Sequence, residues 1–228
     1  MVIGYHRVAE RDDPMTVRTS TFAQHISWLA ADRIHVPIVE VDDAVRRRGR
    51  EWPRHAVAVT FDDAWQDVYA NALPVLSAAG IPSTLYVPTK LMGSREYMTR
   101  AQVQECAAAG MQIGGHSQSH VDLRACNDAE LEREIRGCRE DLEDLLGESM
   151  TRFAYPFGHH DERVRAAVAA AGFTSAVSTQ RAWARPDGDA LLIPRSVIED
   201  FDVATFRAAL RGGLNVLRAA DAVRRKAG

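Results

Sequence analysis

The sequence predicts an α/β fold on a parallel sheet, either a barrel or a doubly wound sheet, organised as one domain over residues 1–228. Two observations carry that expectation. Short apolar runs of strand length alternate with longer stretches of helical periodicity, the order that builds βαβ units. One punctuation also recurs: Ala78-Ala79-Gly80-Ile81, Ala108-Ala109-Gly110-Met111 and Ala170-Ala171-Gly172-Phe173 each read as a helix end, a left-handed glycine and entry into a strand.

The strands that follow those glycines are expected at 83–87, 111–114 and 173–177, with further strands at 2–5, 35–38, 57–61, 152–155 and 191–198. These runs are short and largely apolar. Helices fill the gaps at 22–31, 41–48, 66–79, 99–109, 128–146, 162–171 and 203–224. The fifth has a start signal, Asn127 as cap with Glu130 three residues on. Pro74 falls inside the third and is expected to kink or split it.

Composition narrows the function classes. Apolar residues at 46% and charged residues at 26% describe an ordinary globular chain with a core of good size. A net charge of -3 is too close to neutral to argue for nucleic acid or an acidic membrane surface, so neither is expected as a partner. The Arg46-Arg47-Arg48-Gly49-Arg50 run reads as a solvated helix end. Cys106, Cys126 and Cys138 are odd in number and lack a C-x-x-C pair, which argues against a disulfide framework and a cysteine zinc site. No apolar run reaches the roughly 18 residues of a membrane span. With no signal peptide ahead of Val2-Ile3-Gly4-Tyr5, a cytoplasmic location is expected.

In parallel α/β folds the chemistry sits at the carboxyl ends of the strands. The strand at 57–61 runs into Asp62-Asp63, two carboxylates that are costly to bury unless they are paired, cap a helix or bind a metal. The strand at 111–114 exits through Gly115 to His116-Ser117-Gln118-Ser119-His120, whose two imidazoles share a face if the turn is helical. Arg152 precedes Tyr155-Pro156-Phe157-Gly158 and could pair with a carboxylate that must stay ionised in a dry pocket. His6 arrives at the same face from the first strand. Two Asp and two His suit Zn²⁺ or a similar first-row ion. An Asp-His-His triad keeps one coordination position open for water and leaves the other Asp as a base.

These residues resemble a known family. Thr60-Phe61-Asp62-Asp63-Ala64-Trp65, His116-Ser117-Gln118-Ser119-His120 and Arg152-Phe153-Ala154-Tyr155-Pro156 are similar, in order and spacing, to the first three motifs of the polysaccharide deacetylases, the NodB-homology or carbohydrate esterase family 4 enzymes. The resemblance implies a distorted (β/α) barrel of seven or eight strands. It implies Asp63, His116 and His120 as ligands of one divalent metal, zinc first and cobalt or nickel as alternatives. It further implies Asp62 as general base, Arg152 as its orienting partner and the Tyr155 backbone N–H as an oxyanion donor.

Two departures stand out. Ala64 replaces the glycine usual after the aspartate pair, which is tolerable at negative φ and strained at positive φ. The family's late L-x-H histidine is also missing, since the strand reads Leu192-Ile193-Pro194-Arg195. Tyr5-His6 resembles the opening strand of the circularly permuted poly-N-acetylglucosamine deacetylases, which assigns the general acid to His6. Arg195 either serves the site or only closes the barrel, the second reading being preferred, and His159 and His160 are read as rim residues. The function implied is hydrolysis of N-acetyl groups from an N-acetylated saccharide. Its rivals are a same-fold hydrolase of a non-sugar linear or cyclic amide, a two-carboxylate glycosidase, and a non-catalytic saccharide-binding domain.

Overall fold

The structure, a computed structural model, describes residues 1–32, 57–180, 182, 185 and 187–210. The strand and helix expected at 35–38 and 41–48, the arginine run at 46–50 and the last expected helix beyond Leu210 lie outside the described residues.

Seven strands form one parallel sheet in the order β8-β7-β6-β5-β4-β1-β9. They are β1 (Val2–Tyr5), β4 (Ala58–Phe61), β5 (Ser83–Val87), β6 (Gln112–Gly115), β7 (Arg152–Ala154), β8 (Ser175–Val177) and β9 (Arg195–Val197). The expected strand at 191–198 is divided. Pro194 has no N–H to give a ladder, so Ile193 pairs with Val177 of β8 while Arg195 onward pairs with β1. That division carries the chain from one sheet edge to the other and nearly closes the ring, giving the distorted (β/α) barrel expected from the motifs.

Alternation along the strands separates two apolar sets. Ile3, Tyr5, Val59, Phe61, Leu85 and Val87 belong to the large core shared with the helices. Val2, Ala58, Tyr86, Ala154, Val177 and Ile193 form a second cluster, one residue per strand or strand approach, which plugs the bore. Above that plug the bore turns polar, with Thr60 and the fully buried Arg195.

The helices are α1 (Thr19–Asp32), α2 (Leu73–Ala79), α3 (Arg100–Ala108), α4 (Asp128–Leu146), α5 (Glu162–Ala170) and α6 (Val203–Leu210). The expected third helix is split: a π-turn over Val68–Ala72 precedes α2 and places Pro74 in its first turn, where its missing N–H costs nothing. Gly80, Gly110 and Gly172 all have positive φ, as their shared punctuation predicts. Asn127 and Glu130 form the expected capping box on α4. Two short strands, β2 (Arg7–Val8) and β3 (Thr16–Val17), follow β1 and were not anticipated. They hold one wall of the site. Cys106, Cys126 and Cys138 are all free thiols. Among the described residues no helix is long and apolar enough to cross a membrane.

Candidate metal centre and active site

The carboxyl ends of the strands surround a cleft of about 460 Å³. His6 enters it after β1, Asp62 and Asp63 after β4, His116 and His120 after β6, and Phe157 after β7. The convergence of the histidines differs from the helical turn expected. His116 leaves β6 directly, and Ser117 and His120 take left-handed backbone conformations (φ 60° and 54°) that fold the second ring back onto the first. The loop is pinned from outside. Gln118 N–H donates to Glu134 O, Ser119 N–H to the Glu134 carboxylate, and His120 N–H to Ser117 Oγ.

Asp63 Oδ1 lies 3.5 Å from His116 Nε2 and 3.1 Å from His120 Nε2. One donor atom from each residue falls within 4.8 Å of the others. A tetrahedral ion with bonds near 2 Å separates its donors by about 3.4 Å, so the triad fits such an ion. His116 Nδ1–H donates to Ala154 O at 2.7 Å, which fixes the tautomer and leaves Nε2 as the free lone pair. Burial works against ionising Asp63, yet the neighbouring imidazoles, His116 above all, hold its carboxyl well below the usual range. A permanent anion with two imidazoles is the donor set that borderline divalent ions prefer.

Asp62 occupies the centre of the bore's mouth. The guanidinium that meets it belongs to Arg195, not to Arg152: Arg195 Nη1 donates to Oδ1 at 2.6 Å and Nη2 to Oδ2 at 2.5 Å. Arg152 is the first residue of β7, paired with Ser175 at the opposite end of the strands from the cleft. The expectation for Arg195, that it only closes the barrel, is likewise corrected. Its side chain climbs the bore past Gly4, where a Cβ would come within 3.2 Å of it, and also donates to Thr60 Oγ1. Burial opposes the charge on Asp62, but Arg195 and then His116 keep its pKa below the usual value.

His6 Nε2 lies 3.8 Å from Asp62 Oδ2. Burial lowers its pKa against the pull of Asp62 and Asp63, and its Nδ1 is buried and unpartnered among the described residues. The Tyr155 N–H is spent in the sheet, donating to Val177 O at 3.3 Å, so it is not available as an oxyanion donor. Pro156 has no N–H, and those of Gly158 and His159 turn back to Tyr155 O and Pro156 O. That leaves the N–H of Phe157, a cleft residue held at φ 58°, with its ring against His120 at 4.6 Å. His159 is on the exposed rim against Asp122, and His160 packs near Tyr155. Ala64 has φ 55°, so the strained alternative for that position is the one realised.

A cation-sized triad, a carboxylate held ionised by a buried arginine, and an imidazole across one open cleft define a candidate metal-dependent hydrolase on a β/α barrel. The family model for polysaccharide deacetylases matches residues 49–176, more than half of the chain, and the chain belongs to that family. The Bacillus subtilis protein YxkH is 23% identical over 186 residues, spanning 82% of this chain and 66% of that protein. The poly-beta-1,6-N-acetyl-D-glucosamine N-deacetylase of Staphylococcus epidermidis is 23% identical over 231 residues, spanning 88% of this chain and 79% of that one. Among solved structures, the Streptococcus pyogenes deacetylase PplD superposes with a TM-score of 0.80 at 23% identity over 87% of this chain and 92% of that one. IcaB from Ammonifex degensii superposes with a TM-score of 0.77 at 24% identity over 92% and 94%. His6 and Arg195, the two groups nearest Asp62 from outside β4 and β6, both lie outside the matched segment.

Proposed function

We propose that this chain is a metal-dependent N-deacetylase of an N-acetylglucosamine-type poly- or oligosaccharide. The observation that carries the reading is the meeting of Asp63, His116 and His120 around one point beside the Arg195-held Asp62. The names of the relatives favour a saccharide over a non-sugar amide as substrate.

Asp63, His116 and His120 would hold the ion, zinc by preference with cobalt or nickel as substitutes. When bound, such an ion supplies a water of lowered pKa and a Lewis acid for the acetyl oxygen. Asp62 accepts the proton as water attacks the acetamide carbon, and Arg195 keeps it ionised and aimed for that task. The Phe157 N–H takes the oxyanion role expected of Tyr155. His6, whose Nε2 lies 3.8 Å from Asp62 Oδ2, relays the proton that Asp62 has accepted to the departing amine. The products are acetate and a free amino sugar.

The test is acetate release from a panel of N-acetylglucosamine oligomers, with and without chelator and added zinc. Chelator-sensitive release restored by zinc is the expected result; release that ignores chelator overturns the reading. Asp63→Ala should lose metal and activity together. Asp62→Asn should keep the metal and lose roughly 10²- to 10⁴-fold in rate, the usual contribution of a positioned general base.

A further inference from the structure

Asp63 uses one carboxylate oxygen toward the imidazoles, and the other is held from behind. Trp65 Nε1–H donates to Asp63 Oδ2 at 3.0 Å. The indole is itself clamped. The Arg7 guanidinium carbon sits 4.3 Å from its ring centroid, and the Tyr97 ring stacks on it at 4.2 Å with 27° between the planes. Two groups that close to one ring cannot share a face, so they occupy both.

Each jaw of the clamp is fixed independently. Arg7 is buried, with Nε on Asp67 Oδ2 at 2.7 Å and Nη1 on Glu96 Oε2 at 3.3 Å. Tyr97 is carried by a backbone bridge opposite Trp65, flanked by Gln66 N–H to Glu96 O and Met98 N–H to Ala64 O. The aspartate needs such support. It sits at φ 70° on a two-residue left-handed stretch, so its backbone does not by itself choose a rotamer aimed at His116 and His120.

We propose that Arg7 and Trp65 are positioning residues for the metal centre: Arg7 immobilises the indole, and the indole N–H reserves Oδ2 of Asp63 so that the carboxylate offers the ion Oδ1 alone. The inference rests on the metal reading given above. Hydrogen-bond partners behind a ligand commonly contribute roughly 10- to 100-fold in metal affinity, which sets the size of the effect. The same dipeptide, His6-Arg7, then serves both halves of the site, its histidine facing Asp62 and its arginine acting on Asp63.

The experiment is titration of the metal-free full chain with Zn²⁺ by calorimetry, and with Co²⁺ by visible absorption, which reports coordination geometry. Trp65→Phe keeps an aromatic ring in the clamp and removes only the N–H. It should weaken Zn²⁺ binding by roughly 10- to 100-fold and alter the Co²⁺ spectrum, with the melting temperature of the metal-free protein little changed. Arg7→Gln should weaken binding in the same direction, and the double variant should bind like Trp65→Phe alone, because Arg7 acts through the indole. Arg7→Lys, which keeps the charge for Asp67 and Glu96 but lacks the flat guanidinium, replaces Arg7→Gln if that variant does not fold. Unchanged Zn²⁺ affinity and Co²⁺ spectrum in Trp65→Phe overturn the proposal, as does full additivity in the double variant. Absence of Zn²⁺ binding in the unaltered chain overturns the metal reading and this inference with it.

Discussion

Residue by residue, strain collects where the chemistry is. Among the described residues, the non-glycine positions with positive φ are Asp63, Ala64, Glu96, Ser117, His120 and Phe157, and every one but Glu96 is in or beside the cleft. A left-handed alanine costs about 1–2 kcal/mol, and glycine gives back part of that in the unfolded chain. Ala64→Gly should therefore raise stability by about 0.5–1 kcal/mol in a urea titration. The buried Asp62–Arg195 pair behaves oppositely. Arg195→Met strands a carboxylate in the bore and should cost about 3–5 kcal/mol, and adding Asp62→Asn should return part of the loss, because no uncompensated charge then remains. At this scale the clustering of Asp63, His116 and His120 was legible, because each of the three sits in a short local motif after a recognisable strand. Arg195 was not. It meets Asp62 from 133 residues away, and only the neighbour relation of β9 to β1 brings it there. Tyr155 misleads for a smaller reason: the strand expected at 152–155 already includes it, and the ladder to β8 consumes the N–H that the resemblance assigned to an oxyanion.

Elements are tied together by buried polar contacts as well as apolar ones. His25 on α1 is fully buried, with Nε2–H donating to Phe201 O at 2.8 Å, Nδ1 accepting from Tyr5 Oη–H at 3.1 Å, and its ring flat on Phe206 of α6 at 3.9 Å. Burial depresses its pKa to about 4. The native state therefore refuses a proton that the unfolded chain accepts below about 6.5. The contact is at full strength above that value and weakens as pH falls toward 4, by up to about 3 kcal/mol in all. Urea unfolding at pH 7.5 and pH 4.5 should show this loss, and His25→Gln should flatten the dependence while lowering stability at the higher pH. Strand β1 makes a second such tie at Gly4. A methyl there would press on the Arg195 side chain at 3.2 Å, so Gly4→Ala should destabilise by about 1–3 kcal/mol and reduce turnover together. Most elements were readable from glycine punctuation and caps. The π-turn ahead of α2, the two-residue strands β2 and β3, and the division of the last strand at Pro194 were not, because their causes lie in tertiary pairing and not in local pattern.

For the molecule as a whole, the core and the Asp63–His116–His120 cluster are separable. The apolar clusters on both sides of the sheet are continuous without the ligand triad. Chelation should accordingly abolish acetate release yet leave a cooperative unfolding transition, with added Zn²⁺ raising the melting temperature in proportion to the logarithm of its concentration. A chelated protein that loses cooperative unfolding would contradict this. The sheet order has a further consequence. Strand β1 (Val2–Tyr5) ends up between Ala58–Phe61 and Arg195–Val197, so one of its two neighbours lies far away along the chain. Pairings of such long sequence separation form slowly, because loop closure must come before they contribute. A folding chain can thus bring Asp63, His116 and His120 together while Asp62 still lacks the guanidinium of Arg195, and that ion pair waits on the pairing of β9 with β1.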